Sequence, residues 1–252
     1  MNWRIHHRAE TESTNADAAK GRPGDVFTAD FQSGGRGRIG HKWLSPPGAN
    51  LMMSAVLDLD GLEAAEAATL PLVVGLAVAG AVRRLAEASG APASVSLKWP
   101  NDVLANGRKI AGILCERHGD AAVAGIGLNV LQTEFPPEIS GTATSLALVG
   151  AAPRGADVPD MRGAVECVRD AVLGMLSPLY ERWRSGGFAA VYGEIAGIDW
   201  LKGRRVSVAA TDGDAETVDG LCGGILSDGS LDVGGEKVWA GEAHVKYDIP
   251  AI

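Results

Sequence analysis

The sequence predicts an α+β fold: a β-sheet domain with flanking helices, followed by a small all-β domain. Three observations predict it. Apolar runs of strand length recur between residues 25 and 130, and two of them are joined by Asn106-Gly107, a strong hairpin signal. Two longer stretches, near 63–90 and 160–185, have the length and composition of helices. After Gly203 the pattern changes to short alternating strands separated by Gly/Asp turns, as in a small barrel. The expected domains are therefore 1–202 and 203–252, and a chain of 252 residues is long enough for both.

Each element has a local reason. Ser13–Gly21 reads as a short N-capped helix, with Ser or Thr before a run of alanines and a glycine stop. Asp25–Phe31 is a strand entering a Gly/Arg-rich loop, and Asn50–Leu59, apolar on both faces, is a central strand. An Ala/Leu/Val helix follows and ends near Gly90. Ser94–Asp102 is a strand running into a turn at Pro100. The Asn106-Gly107 hairpin returns through KIAGILCE, and Asp120–Val130 is the next strand. Residues 131–159, rich in Pro, Gly, Thr and Ser, read as loop. An amphipathic helix at 160–185 and a shorter one near 188–196 precede the terminal strands RRVSVAATDG, AETVDGLCGGILSDGSLDVGG and EKVWAGEAHVKYDI.

Composition excludes several function classes. With 46% hydrophobic and 21% charged residues the chain is not a disordered Arg/Gly-rich protein. A net charge of −8 argues against broad nucleic-acid binding, which needs a basic field. Cys115, Cys167 and Cys222 are odd in number and far apart, fit no zinc pattern, and read as buried free thiols of a reducing compartment. The polar N-terminus MNWRIHHRAE has no apolar core of a signal peptide, and Leu70–Val82 is too short to span a bilayer. The expectation is a cytoplasmic protein with no membrane partner and no metal site of its own.

Two stretches carry chemistry. In FQSGGRGRIGHKWLSPPGANLMMS (Phe31–Ser54), glycines let backbone N–H groups approach an anion, and Arg36 and Arg38 add charge and planar donors. The loop matches neither GxxxxGK(S/T) nor GxGxxG. Trp43 offers either core packing or a face for a purine. In KWPNDVLANGRKIAGIL, Lys98 sits between apolar Leu97 and Trp99, where a lone charge is costly. On spacing alone Lys109 reads as a solvated hairpin lysine, and for Thr14, Asp102 and Gly112 the competing structural readings are a helix cap, a turn residue and a packing glycine.

With STN (Ser13, Thr14, Asn15), GIGLNV (Gly125–Val130) and the terminal WAGEAHVKY, these stretches resemble biotin protein ligase, in order and over most of the chain. The resemblance implies a mixed-sheet catalytic domain of the class II synthetase-like, biotin/lipoate ligase type, with a C-terminal SH3-like barrel closed by Ala240–Val245. It implies that biotin and ATP form biotinyl-5'-AMP, from which biotin passes to a lysine of a biotin carboxyl carrier domain. That domain belongs to acetyl-CoA carboxylase or another biotin-dependent carboxylase. Lys109 and Arg38 are then the catalytic groups. Ser13, Thr14, Gln32, Gly35, Arg36, Lys109, Gly112 and Leu114 bind biotin. Arg38, Trp43, Asn101, Asp102 and Asn129 bind the nucleotide. Mg2+ enters with ATP, held by its phosphates. Two residues depart from the family: Ile39 and His41 stand where relatives are often basic, so the loop is less cationic. Nothing before Ser13 is long enough for the winged helix-turn-helix of some relatives, and no DNA binding is expected. The sheet edge permits a homodimer. A lipoate or octanoate ligase of the same fold and a non-catalytic biotin sensor are the competing readings. ATP-dependent pyrophosphate release separates enzyme from binder.

Overall fold

The computed structural model describes residues 1–154, 158, 160–209 and 217–246. Its main sheet has seven strands: β1 (Arg4–Thr11), β2 (Asp25–Gln32), β3 (Asn50–Asp58), β4 (Val95–Lys98), β5 (Asp102–Ala105), β6 (Arg108–His118) and β7 (Ala121–Asn129). They lie in the order β1-β2-β3-β7-β6-β5-β4. β1 and β2 are parallel, joined through α1 (Thr14–Ala18), and every other neighbouring pair is antiparallel. The sheet is therefore mixed, and the fold is α+β as the sequence predicts.

The two faces of the sheet differ. Odd-numbered residues of β3 (Leu51, Met53, Ala55, Leu57) and even-numbered residues of β7 (Ala124, Ile126, Leu128) belong to the large core shared with the helices. Against it pack α3 (Leu70–Ala88), α4 (Met161–Gly186) and α5 (Ala189–Gly197). α4 is tied down by polar atoms as well as burial: Tyr180 donates to the Asp58 carbonyl at 2.6 Å and Trp183 Nε1 to Thr69 Oγ1 at 2.9 Å. The opposite face carries α1, where Ala18 meets Val56 and Val123, and leaves the rest of the sheet uncovered by helices. The Gly/Arg loop between β2 and β3 covers part of that face.

The second sheet is antiparallel, with five strands in the order β11-β10-β9-β8-β12. They are β8 (Arg205–Ala209), β9 (Val218–Ile225), β10 (Leu231–Val233), β11 (Glu236–Val238) and β12 (Glu242–Val245). The far ends of the predicted terminal strands, beyond 209 and beyond 246, lie outside the described residues.

Four expectations need correction. β1 was invisible in sequence, because RIHHRAET is exposed along nearly its whole length and shows no apolar alternation. Its seat is polar: Asp25 accepts from the Arg22 N–H at 2.8 Å and from Arg4 Nε at 2.8 Å. The Arg22 N–H, His6 and Arg4 hold the Asp25 carboxyl well below the usual range. The helix expected over 63–90 is two helices, α2 (Ala64–Ala67) and α3, broken at Thr69, whose hydroxyl bonds the Glu66 carbonyl; Pro71 then opens α3. By length and hydropathy the Ala64–Ala88 stretch is sufficient to cross a membrane, contrary to the reading of Leu70–Val82 as too short; here it is largely buried in the core. Finally, Cys167 is exposed on α4, not buried, whereas Cys222 is buried.

Candidate active site

The uncovered face of the sheet and the end of the second sheet enclose a cleft of about 310 Å³. Three devices bring its side chains together.

The first is a pair of glycine seats. Gly112 on β6 and Gly127 on β7 are direct cross-strand partners. A Cβ on Gly127 would run into the Trp43 indole, and one on Gly112 would sit 3.2 Å from Trp43 Cζ3. Without side chains, the two strands offer a flat patch on which the indole lies. Two residues along β7, a side chain at Gly125 would collide with Asn15. The two glycines of GIGLNV are thus spaces for side chains arriving from α1 and from the loop.

The second device is a β-bulge. Val103 pairs with Ala111 but Leu104 pairs with Lys109, so Ile110 is an extra residue in β6. Gly112 and Leu114 face the cleft by ordinary alternation, and Lys109 by that rule would point into the core. The extra residue shifts the alternation by one and turns Lys109 to the cleft, while Ile110 takes the buried place at 0% exposure. Lys109 Nζ lies 2.7 Å from Asp102 Oδ1 and 6.0 Å from the Trp43 ring centroid. The contact with Asp102 is a close ion pair, and the buried Oδ1 has no other partner among the described residues. Trp43 Nε1 is likewise buried and unpartnered among the described residues.

The third device is the loop itself. It is a small hairpin: Gly37 N–H donates to the His41 carbonyl at 2.7 Å, and Trp43 N–H to the Gly35 carbonyl at 3.0 Å. Its tip is closed by His41 N–H to the Arg38 carbonyl at 3.0 Å, with Ile39 at φ 51° and Gly40 at φ 74°. Two positive φ values make a type I′ turn, which suits glycine or asparagine and strains a β-branched residue. Ile39→Asn is expected to steady the hairpin by about 1 kcal/mol, or roughly fivefold. Slower tryptic cleavage after Arg36 and Arg38 in the free protein would register it; unchanged or faster cleavage would contradict it.

The cleft is cationic. Arg36, Arg38, Lys98 and Lys109 line it with Asp102 and Glu242 as the carboxylates. Desolvation lowers the pKa of Arg38, while the charges of Glu242 and Asp102 raise it. Desolvation also lowers that of Lys98, opposed by Asp102, reinforced by Lys109 and opposed by Glu242. Half-buried cations beside too few carboxylates form an anion site.

At the other end of the cleft the groups are neutral. Thr14 N–H donates to Gln32 Oε1 at 2.7 Å, and Ser13 and Thr14 are buried. Ser13 occupies the N-cap of α1 but makes no side-chain cap, and the Thr14 hydroxyl meets Gln32 and Ser54 rather than the helix.

Of the residues expected at the site, Ser13, Thr14, Gln32, Arg36, Arg38, Trp43, Asn101, Asp102, Lys109, Gly112 and Leu114 line this one cleft. Gly35 and Asn129 do not. A side chain on Gly35 would strike the Trp43 carbonyl, so that glycine shapes the hairpin. Asn129 lies two residues beyond Gly127 on the same face of β7, but its Nδ2 donates to the Thr144 carbonyl at 2.9 Å. Asn101 Nδ2 is spent in the same way on the Ile113 carbonyl at 2.8 Å. Sequence reasoning missed Lys98, Asn15, Glu242 and His244 as cleft residues. The cost of a charge between Leu97 and Trp99 was the available signal for Lys98. For Glu242 there was none, since it arrives from the second sheet. Its Oε1 is 3.4 Å from His41 Nε2, which joins the loop to β12.

The profile of the biotin/lipoate A/B protein ligase family matches residues 9–132. A biotin–(acetyl-CoA-carboxylase) ligase of Paracoccus denitrificans is 35% identical over 88% of this chain and 91% of that protein. One from Mycobacterium tuberculosis is 42% identical over 57% of this chain, and the chain spans only about half that relative's length, 55%. Among solved structures, a biotin protein ligase from Aquifex aeolicus in complex with biotin and ATP superposes with a TM-score of 0.78 at 29% identity. That match covers 96% of this chain and 98% of the other.

Proposed function

The chain belongs to the biotin/lipoate A/B protein ligase family, and from that premise we propose that it is a biotin protein ligase, working through an acyl-adenylate. The observation that carries the reading is the bulge-directed Lys109. It stands with Arg36 and Arg38 in the same cleft as the Thr14–Gln32 pair. A carboxylate and a triphosphate repel one another, and a cluster of cations is what brings them together.

In the first step a biotin carboxylate oxygen attacks the α-phosphorus of ATP, the bond to the β-phosphate oxygen breaks, and pyrophosphate leaves. Lys109 contacts both reacting groups and stabilises the charge that builds between them; Arg38 clamps carboxylate and phosphate. Ser13, Thr14 and Gln32 take the ureido ring, Gly112 and Leu114 form the wall beside the bicycle, and Arg36 follows the valeryl chain. Trp43 lies flat on its glycine seat and offers adenine its other face, and Asp102 keeps Lys109 in place from the nucleotide side. Asn101 and Gly35 support the site through backbone bonds and hairpin shape, and Asn129 extends the nucleotide face of β7. In the second step the amine of an acceptor lysine attacks the acyl carbon, the bond to the phosphate oxygen breaks, and AMP leaves. The acceptor we propose is the biotin carboxyl carrier domain of a biotin-dependent carboxylase.

The donor set suits a magnesium ion that arrives as part of the nucleotide substrate. Among the described residues no cluster of three or more His, Cys, Asp or Glu side chains forms a protein cage. Asp102 and Glu242, the carboxylates of the cleft, are too few to cage the ion without the phosphates. We also propose the two-domain division at 202/203, with the second domain reaching the site through Glu242. A homodimer has a candidate edge, because β6 pairs with β5 only as far as Gly112 but with β7 as far as His118. The net charge of −8 supports a reading without DNA binding.

The test is biotin-dependent exchange of pyrophosphate into ATP, with lipoate run in parallel. Exchange with biotin alone is the expected result. Exchange with lipoate alone would move the chain to the other branch of its family. Biotin binding with no exchange would leave a sensor.

A further inference from the structure

Three side chains that the proposed reaction leaves without a role, Ser54, Asn15 and Glu116, lie in one line beneath the cleft and meet Thr14 at its end. Ser54 on β3 faces Gly125 across the strand pair, and Gly125 faces Leu114 on β6. The Asn15 side chain crosses β7 over Gly125, so that it reaches both outer strands. On one side its Oδ1 is 2.6 Å from Ser54 Oγ; on the other its Nδ2 donates to Glu116 Oε2 at 2.6 Å and approaches the Leu114 carbonyl at 3.3 Å. Glu116 Oε1 in turn lies 3.6 Å from an Arg36 guanidinium nitrogen.

Proton counting gives this line a direction. Both neighbours of Asn15 Nδ2 are acceptors, which fixes the amide: nitrogen toward Glu116, oxygen toward Ser54. An amide oxygen cannot donate, so the single Ser54 proton goes to Asn15. The contact of 2.7 Å between Ser54 and Thr14 Oγ1 must then be donated by Thr14. Gln32 Oε1, 3.0 Å from that hydroxyl, retains the Thr14 N–H as its donor. The hydroxyl protons therefore run Thr14 to Ser54 to Asn15, and the amide proton runs on to Glu116. Thr14 Oγ1 is left facing the cleft with lone pairs only.

We propose that Thr14, Ser54, Asn15 and Glu116 form a directed hydrogen-bond relay coupling ligand capture at the cleft floor to the placement of Arg36, with Glu116 as the positioning residue. A ligand N–H donated to Thr14 strengthens each bond down the line and ends on the carboxylate that holds the loop arginine. Ser54 and Asn15 are 0% and 5% exposed, so the inner part of the line is shielded from competing water, while its Glu116–Arg36 end opens to the surface. The proposal rests on the biotin-ligase reading for the identity of the ligand, and it adds a link between that ligand and the hairpin.

The experiment is a double-mutant cycle on biotin affinity by calorimetry, using Ser54→Ala, Glu116→Gln and the pair. Glu116 is half-buried at the surface, and glutamine keeps its size while removing the charge that faces Arg36. If Ser54→Ala does not fold, the near-isosteric Ser54→Cys, a weaker donor, replaces it. Each single change is expected to weaken biotin binding about fivefold to tenfold, and the pair no more than the worse single, because either cut opens the same line. Both are also expected to abolish any slowing of cleavage at Arg36 by biotin while leaving the KM for ATP within about twofold, a split that general loosening would not give. Losses that multiply in the pair, or biotin protection that survives in either single, overturn the relay. A wild-type chain that binds no biotin overturns the ligase reading before any variant is compared, and removes this proposal with it.

Discussion

Lys109→Ala is expected to lower biotin-dependent pyrophosphate exchange by about 10²–10³-fold, the range for losing one preorganised electrostatic contact in a water-poor site. The effect should fall on the chemical step more than on biotin binding, because the charge Lys109 answers develops only as the carboxylate and phosphate meet. A second cost comes from the partner. Asp102 Oδ1 is buried, with Lys109 at 2.7 Å as its one partner among the described residues, so the alanine variant leaves a carboxylate facing the proposed anion site. Lys109→Ala/Asp102→Asn should then recover part of the loss in nucleotide affinity, though not the loss in rate. Lys109→Arg keeps the charge but spreads it over a planar fork that the bulge does not aim, and should rescue poorly. Exchange within tenfold of wild type in Lys109→Ala would remove the lysine from the centre of the mechanism and return it to the solvated hairpin residue that its spacing alone suggests.

That contrast marks what was legible in the sequence. The strands β2, β3 and β7, the Asn106-Gly107 turn and helix α4 were readable because each is specified locally, by an apolar run, by two residues with positive φ (51° and 75°), or by a helical stripe. β1 was not readable, because its stability comes from a parallel partner and a buried carboxylate, not from its own pattern. The Gly/Arg loop announced an anion site by its residue types. Its hairpin form did not show, since the isoleucine at the turn contradicts the usual turn chemistry. The orientation of Lys109 was hidden for a specific reason: one extra residue in β6 reverses the face on which every earlier residue falls, and a bulge leaves no compositional trace here. The relay was hidden as well, because Asn15, Ser54 and Glu116 come from three separate elements and meet only across a glycine.

The glycine seat supplies the second large effect. Gly127→Val places a β-branched residue where a strand welcomes one by propensity, so the sheet itself should not suffer. The added methyls would occupy the volume now filled by the Trp43 indole, which a single Cβ already invades. The indole must leave, and with it goes the anchor of the hairpin that carries Arg36 and Arg38. If Trp43 presents its free face to adenine, losing that face costs about 1–3 kcal/mol, or roughly 5- to 150-fold in the KM for ATP. Displacing the arginines adds a fall in exchange rate. The KM for biotin should change least, since Thr14 and Gln32 lie on α1 and β2, outside the hairpin. The valine should act only through the indole, which a cycle can test. In a Trp43→Ala background Gly127→Val is expected to add almost nothing, because the space it claims is already empty. Additive losses would mean that the valine damages the sheet directly. A wild-type KM for ATP in Gly127→Val would mean that the nucleotide does not use Trp43 at all, and the adenine face would have to be sought elsewhere on β7, beginning with Asn129.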